Sequence, residues 1–194
     1  MLHAASVNMK RGFDLLFALG ALLVLMLPIL LIAVVVKITS DGSAIYWSDR
    51  VGRGNRIFRM PKFRSMRSQT PAVATHLLEN PSDWLTPVGV FLRKSSLDEL
   101  PQLWSIIKGD MSFVGPRPAL FNQHDLIALR TERGVHKLVP GLTGWAQVNG
   151  RDVLPISDKV ELDAEYLEKM SFFFDAKILW MTLFKVTARQ GVSH

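Results

Sequence analysis

The chain has 194 residues, room for one compact domain of about 150 residues plus an accessory element but not for two full domains. Hydrophobic residues make up 48%, charged residues 21%, and the mean hydropathy is +0.19, which excludes a disordered chain and makes lipid contact the default. Cys is absent, so disulfides, thiolate nucleophiles and Cys-ligated metals are excluded, and the net charge of +6 favours partners that carry phosphate or an anionic bilayer face.

Residues 15–36 form an uncharged run of 22 positions between Asp14 and Lys37, rich in Leu, Val, Ile and Ala. About 20 residues at about 1.5 Å each cross a bilayer. A cleaved signal peptide fits poorly, because its apolar core would run only about 7–15 residues and no small-x-small site follows Lys37, so the segment is expected to stay. Pro28 removes one backbone N–H near the middle and leaves the Val24 carbonyl without its helical partner, which predicts a kink or break. Both flanks are basic, with Lys10 and Arg11 before and Lys37 and an Arg-rich stretch after, so straight insertion would strand one cluster on the wrong side. Two topologies follow: a helix that enters, bends at Pro28 and leaves by the same face, or a kinked single span. The chain offers no second span, since residues 178–184 between Lys177 and Lys185 are too short.

In the remaining chain, residues 44–47 and 56–64 read as strands of a hairpin, the second interrupted by Pro61, around a Gly-containing loop at 49–55. Residues 69–84 read as a mobile surface loop with at most a short helix near 76–78. Helical spacing marks 96–108, 121–133 and 158–170, the last with Val160, Leu162, Tyr166 and Leu167 as its buried positions. Gly/Pro-rich connections run over 109–118 and 140–155. In residues 171–189, Asp175, Thr182, Lys185 and Arg189 share one side, whereas Phe172, Phe173, Ile178, Leu179, Trp180, Leu183 and Phe184 cover the rest; such a helix lies at a membrane interface or packs in the core.

Four constellations carry chemistry. Residues 50–67 hold seven cations (Arg50, Arg53, Arg56, Arg59, Lys62, Arg64 and Arg67) and no acid, which suits nucleic acid, lipid headgroups or a pyrophosphate ester; proximity to the apolar segment favours the last two. A solvated basic strand on anionic lipid accounts for most of them, and Lys62 is the one to place in a site. In Ser96-Leu97-Asp98-Glu99-Leu100-Pro101, Ser96 and Glu99 have capping-box spacing, which puts Asp98 and Glu99 at a helix start where N–H groups favour a carboxylate, its metal or a phosphate. Asp98 can attack phosphorus with Glu99 beside it as acid/base, and a divalent cation of the Mg²⁺ type, with Asp98 as ligand, lets two anions approach a pyrophosphate. Ordinary helix-start acids are the alternative. Arg93, and Arg117 between two prolines, supply guanidinium forks for phosphate oxygens. Residues 140–151 combine glycines, Trp145, Gln147, Asn149 and Arg151, a set able to hold a nucleotide or equally to form a packed Trp corner.

The ordered set of Pro28 in an apolar segment, Lys62-Phe63-Arg64-Ser65-Met66, Leu97-Asp98-Glu99-Leu100, Gly109-Asp110-Met111-Ser112-Phe113-Val114-Gly115-Pro116-Arg117-Pro118, residues 140–151, Glu161-Leu162-Asp163 with Tyr166, and Ser171-Phe172 with Asp175 resembles the bacterial sugar transferases, and among them the small monotopic, PglC-like phosphoglycosyl transferases. The likeness covers nearly the whole chain. It implies an α+β protein with a re-entrant, Pro28-kinked membrane helix in residues 1–40 and a small mixed cytoplasmic catalytic domain with interfacial amphipathic helices in 41–194, at the bacterial inner membrane. It further implies transfer of sugar 1-phosphate from a UDP-sugar to a polyprenol phosphate with release of UMP, Mg²⁺ at the site, and no nucleic-acid partner. In the family the match to Asp98 forms a covalent phosphosugar, the match to Glu99 assists the second step, and those to Lys62, Arg93, Arg117, Arg151 and Asp175 bind phosphate or support the site, with Gln147 an added substrate contact here. One departure is Leu27, where the family often has Ser before the membrane proline. A membrane-anchored basic binding module and a metal-dependent UDP-sugar hydrolase are the rival readings.

Overall fold

The computed structural model describes residues 2–71, 73, 78–150 and 154–187. Helix α1, Leu2–Thr39, is continuous through Pro28, so of the expected kink or break the break does not occur. One missing N–H is outweighed by the remaining helical bonds of an apolar run that has no polar side chains to satisfy its backbone another way. Met9–Thr39 is long and apolar enough to cross a membrane, with mean hydropathy 3.1.

Helix α1 is two-faced along its length. Ala18, Ala21, Leu25, Ile29, Ile32, Ala33 and Val36 recur every three or four residues and pack against the rest of the chain. Leu16, Leu19, Leu23, Leu27, Leu30, Val34 and Ile38 line the exposed side. The stripe begins with polar anchors: Asp14 is buried and accepts the Phe113 N–H at 3.1 Å, while the Arg11 guanidinium donates to the Ile106 and Ile107 carbonyls at 2.5 and 2.6 Å. Those carbonyls end α3, Leu103–Lys108, where a cation satisfies orphan acceptors and opposes the helix dipole. From Asp14 to Val36 the stripe runs about 33 Å at about 1.5 Å per residue.

Strands β1, Ile45–Val51, and β2, Ile57–Phe63, form an antiparallel hairpin in which Trp47 pairs with Pro61 and Val51 with Ile57. Strand β1 thus continues into residues expected as loop, and the turn shrinks to a 3₁₀ turn at Arg53–Asn55. Pro61 is tolerated because alternate N–H groups in a two-stranded ladder point away from the partner. A 3₁₀ turn at Pro81–Trp84 closes the expected surface loop; the short helix expected near 76–78 falls mainly outside the described residues. Helix α2, Gly89–Lys94, was not expected, and the helix expected over 96–108 divides into a 3₁₀ turn, Leu97–Gln102, and α3.

The two Gly/Pro-rich connections meet as a parallel pair, β3 (Ser112–Val114) with β4 (Gly141–Thr143), and the second continues into the short α5, Trp145–Asn149. Helices α4 (His124–Glu132), α6 (Ile156–Lys169) and α7 (Phe172–Thr187) match the expected positions within a few residues. In α6, Val160 and Tyr166 are buried as expected, Leu162 and Leu167 are half-buried, and Asp163 is an unexpected fully buried acid. Helix α7 packs in the core on one side, with Ile178 buried against Val114, Val148 and Tyr166, and leaves Phe173, Trp180, Leu183 and Phe184 as an exposed apolar face.

Candidate active site

Asp98 and Glu99 ride on the Leu97–Gln102 turn, which packs against β2, the strand that carries Lys62. The capping box does not form. Ser96 adopts left-handed torsions (φ +58°) and makes no side-chain cap, while the Glu99 carboxylate reaches the Lys62 ammonium at 2.8 Å and Arg117 Nη2 at 3.2 Å. Two cations are stronger partners for a carboxylate than one backbone N–H. Asp98 is 7% exposed and makes no hydrogen bond or ion pair among the described residues, yet Lys62, Arg93 and Arg117 lie close enough to act on its charge.

Burial raises the Asp98 carboxyl above the ordinary aspartate value; Lys62, Arg93 and Arg117 pull it down, and the Glu99 charge adds to the rise. For Glu99 burial acts upward too, but Lys62 and Arg117 overcome it and hold this carboxyl well below the usual carboxylate range. The neighbours therefore differ in kind. Glu99 is held as an anion in an ion-pair triad, and Asp98 is a desolvated carboxylate in the field of three cations, without a direct hydrogen bond or ion pair among the described residues.

Arg117 stands on a rigid base. Gly115 N donates to Thr143 O and Gly141 N to Pro116 O, both at 2.9 Å, and the backbones touch so closely that a Cβ on Gly141 or Gly144 would come within 2.1 Å of Gly115. Only glycine fits there. On the other side, Arg130 of α4 donates to the Arg117 carbonyl at 2.8 Å while gripping Asp163 of α6 at 2.6 and 3.0 Å. Arg130 had no place in the expected site. Its signal was an acid, Asp163, spaced three residues from both Val160 and Tyr166 on the buried face of α6.

Of the expected site residues, Lys62, Arg93, Asp98, Glu99 and Arg117 are gathered at one place. Arg93, in the last turn of α2, also places Nη1 3.3 Å from Met66 Sδ. Gln147 and Asp175 are engaged elsewhere. Buried Gln147 donates to the Leu142 carbonyl at 2.9 Å within its own loop, while Asp175 pairs with Lys10 of α1 and accepts the Tyr166 hydroxyl at 2.7 Å, joining α1, α6 and α7. Arg151 lies outside the described residues. Of the other basic-block residues, Arg50 donates to the Pro118 carbonyl and Ser48, Arg59 stacks over Trp47, and Arg64 donates to the Ser43 carbonyl, so these three brace the hairpin.

No group of three or more His, Asp or Glu side chains able to enclose a metal occurs among the described residues. Mg²⁺ needs no such group, because it takes one or two carboxylates and completes its shell with water and substrate phosphates. Asp98, buried and without a direct partner among the described residues, is the carboxylate that would hold it.

The family described as bacterial sugar transferase matches residues 5–189. The chain is 39% identical over 188 residues to the uncharacterized sugar transferase EpsL of Bacillus subtilis (strain 168), covering 96% of this chain and 91% of that protein. It is 39% identical over 185 residues to the UDP-glucose:undecaprenyl-phosphate glucose-1-phosphate transferase of Escherichia coli (strain K12), covering 91% of this chain but only 40% of that longer protein. The exopolysaccharide production protein ExoY of Rhizobium meliloti (strain 1021) is 38% identical over 200 residues, covering 94% of this chain and 87% of that protein. With a family match over nearly its whole length and relatives of like size, the chain belongs to the bacterial sugar transferase family.

Proposed function

We propose that this enzyme moves sugar 1-phosphate from a UDP-sugar to undecaprenyl phosphate by two displacements at phosphorus. The observation that carries this reading is the buried Asp98 carboxylate, without a hydrogen-bond partner among the described residues and set among Lys62, Arg93 and Arg117. A relative that shares 39% identity with the chain is named for glucose-1-phosphate transfer to undecaprenyl phosphate. In the first displacement an Asp98 oxygen bonds to the β-phosphorus, the bond from that phosphorus to the bridging oxygen breaks, and UMP leaves with the electron pair. In the second, an oxygen of the lipid phosphate attacks the same phosphorus and the Asp98–phosphorus bond breaks, which regenerates the carboxylate.

Lys62 and Arg117 serve both stages. In the free enzyme they hold Glu99 as an anion. An arriving diphosphate competes for the same N–H groups, so Glu99 loses partners and gains basicity as the site fills. Mg²⁺, with Asp98 as its protein ligand, would neutralise the charge that keeps carboxylate and diphosphate apart. Burial that excludes water from Asp98 protects the acyl phosphate from hydrolysis, which separates a transferase from a UDP-sugar hydrolase.

The same reading makes the protein monotopic, with its catalytic domain on the cytoplasmic face of the inner membrane. Support comes from α1, whose two halves pack on one domain at Met60, Ile106 and Met111 and at Phe63 and Leu92, and from basic residues at both of its ends. Incubation with a UDP-sugar and Mg²⁺ adds one phosphosugar by intact mass, and Asp98→Asn abolishes adduct and turnover. Full turnover in that variant would remove the covalent route. Labelling of Ser6→Cys from the periplasm of intact cells would instead mean a span.

A further inference from the structure

At the carboxyl end of α1 lies a polar cavity of about 620 Å³, whose lining includes Lys37, Ser40, Asp41, Met66, Arg67 and Thr86. Two observations set it apart from an ordinary surface hollow. First, cations and bare apolar side chains adjoin there: beside Lys37 and Arg67, Ile38 is 77% exposed, and Phe91 on neighbouring α2 is 61% exposed. A water-soluble nucleotide sugar gains nothing from that pairing, whereas a ligand with a phosphate at one end and a hydrocarbon chain at the other uses both halves. Second, the cavity abuts the catalytic cluster. Met66 lines it, and the Met66 sulfur is 3.3 Å from Arg93, whose charge acts on Asp98. Met66, unbranched and adaptable, thus belongs both to the cavity lining and to the surroundings of Arg93.

We propose that this cavity is the entry site of the lipid acceptor, taking a phosphomonoester between Lys37 and Arg67 while its isoprenoid chain lies along the exposed faces of α1 and α2. The inference rests on the two-displacement reading and adds where the second substrate arrives. Lys37 spends one N–H on the Gly42 carbonyl at 3.0 Å and retains two for phosphate oxygens. Thr39 and Ser40 direct their hydroxyls back to the Val35 and Val36 carbonyls, and Asp41 is an acid in the same lining, so recognition of a phosphate falls to Lys37 and Arg67, two cations against one anion. The phosphate then passes Met66 to reach Arg93 and the phosphosugar on Asp98.

The test uses the full chain in phosphatidylcholine nanodiscs. Binding of polyprenyl phosphate without donor, and the acceptor KM, are measured for the wild type, Lys37→Ala, Arg67→Ala and the double variant. Each single variant is expected to weaken acceptor binding about tenfold, the size of about 1.4 kcal/mol, and the double variant more. The UMP burst with UDP-sugar and no acceptor keeps its amplitude and its donor dependence. Unchanged acceptor binding in the double variant overturns the proposal, as does a wild-type acceptor KM raised by excess phosphatidylglycerol to the level of that variant, since the cavity would then take any anionic headgroup. A wild type that binds polyprenyl phosphate through Lys37 and Arg67 but gives no UMP burst would sink the two-displacement chemistry and leave the lipid site standing.

Discussion

Arg130 joins Asp163 through two of its nitrogens, at 2.6 and 3.0 Å, and spends a third on the backbone of Arg117. The pair is 12% and 1% exposed, so removing either member leaves a buried charge without its partner, at a cost of about 3–5 kcal/mol. Asp163→Leu and Arg130→Met are each expected to lower the unfolding temperature sharply, and the double variant less than the sum. Donor kcat/KM should stay depressed in a folded double variant, because the Arg117 carbonyl has lost its donor, and Arg130→Lys should not restore it, lacking the planar fork. A stable double variant with full donor kinetics would limit this pair to stability.

The pH profile of the first displacement reports on Asp98. Attack requires the ionised carboxylate; burial raises its pKa and a bound Mg²⁺ would lower it, so the acid limb of donor kcat/KM should move to higher pH as Mg²⁺ is reduced. Arg93 acts in the lowering direction, so Arg93→Ala should move the limb to still higher pH. A limb that moved to lower pH in this variant would contradict the placement of Arg93 beside Asp98.

Glu99→Gln removes the anion shared by Lys62 and Arg117 while keeping its shape. The phosphosugar should still form, since Asp98 and the cations remain, but the second displacement should slow by about 10²–10⁴-fold, the usual size of an acid/base contribution. Rapid-quench intact mass would then show the adduct accumulating under turnover. Loss of the adduct with Asp98 intact would assign Glu99 to the first displacement.

Asp175 offers a contrast. It holds Lys10 and the Tyr166 hydroxyl, and Tyr166 also donates to the Val114 carbonyl at 3.3 Å. Asp175→Asn should cost about 1.5–3 kcal/mol, the range for hydrogen bonds to charged groups, and show as a lower unfolding temperature with donor KM unchanged. A raised donor KM at unchanged stability would return Asp175 to substrate binding.

How far the sequence reveals this arrangement depends on the range of each signal. The long periodic helices α6 and α7 and the hairpin around Gly54 carry patterns many residues long and are legible. Strands β3 and β4 have three residues each, too few for an alternating pattern, and they exist because glycines 115, 141 and 144 let two distant loops touch. Ser96 and Glu99 read locally as a cap; the pull of Lys62, 37 residues away in the chain, decides otherwise. Local spacing and resemblance both marked Asp98 and Arg117, but the bond from Arg130 to the Arg117 backbone is tertiary and has no motif.

The inward stripe of α1 has a practical consequence. Ala18 and Val36 are fully buried in two separate cores that also contain Ile106 and Phe63, so α1 is no tether that can be trimmed to yield a water-soluble catalytic fragment. Excision would unroof both cores at once, and the remnant is expected to clump rather than stay dispersed. The greasy helix is thus as much a wall of the enzyme as its mooring.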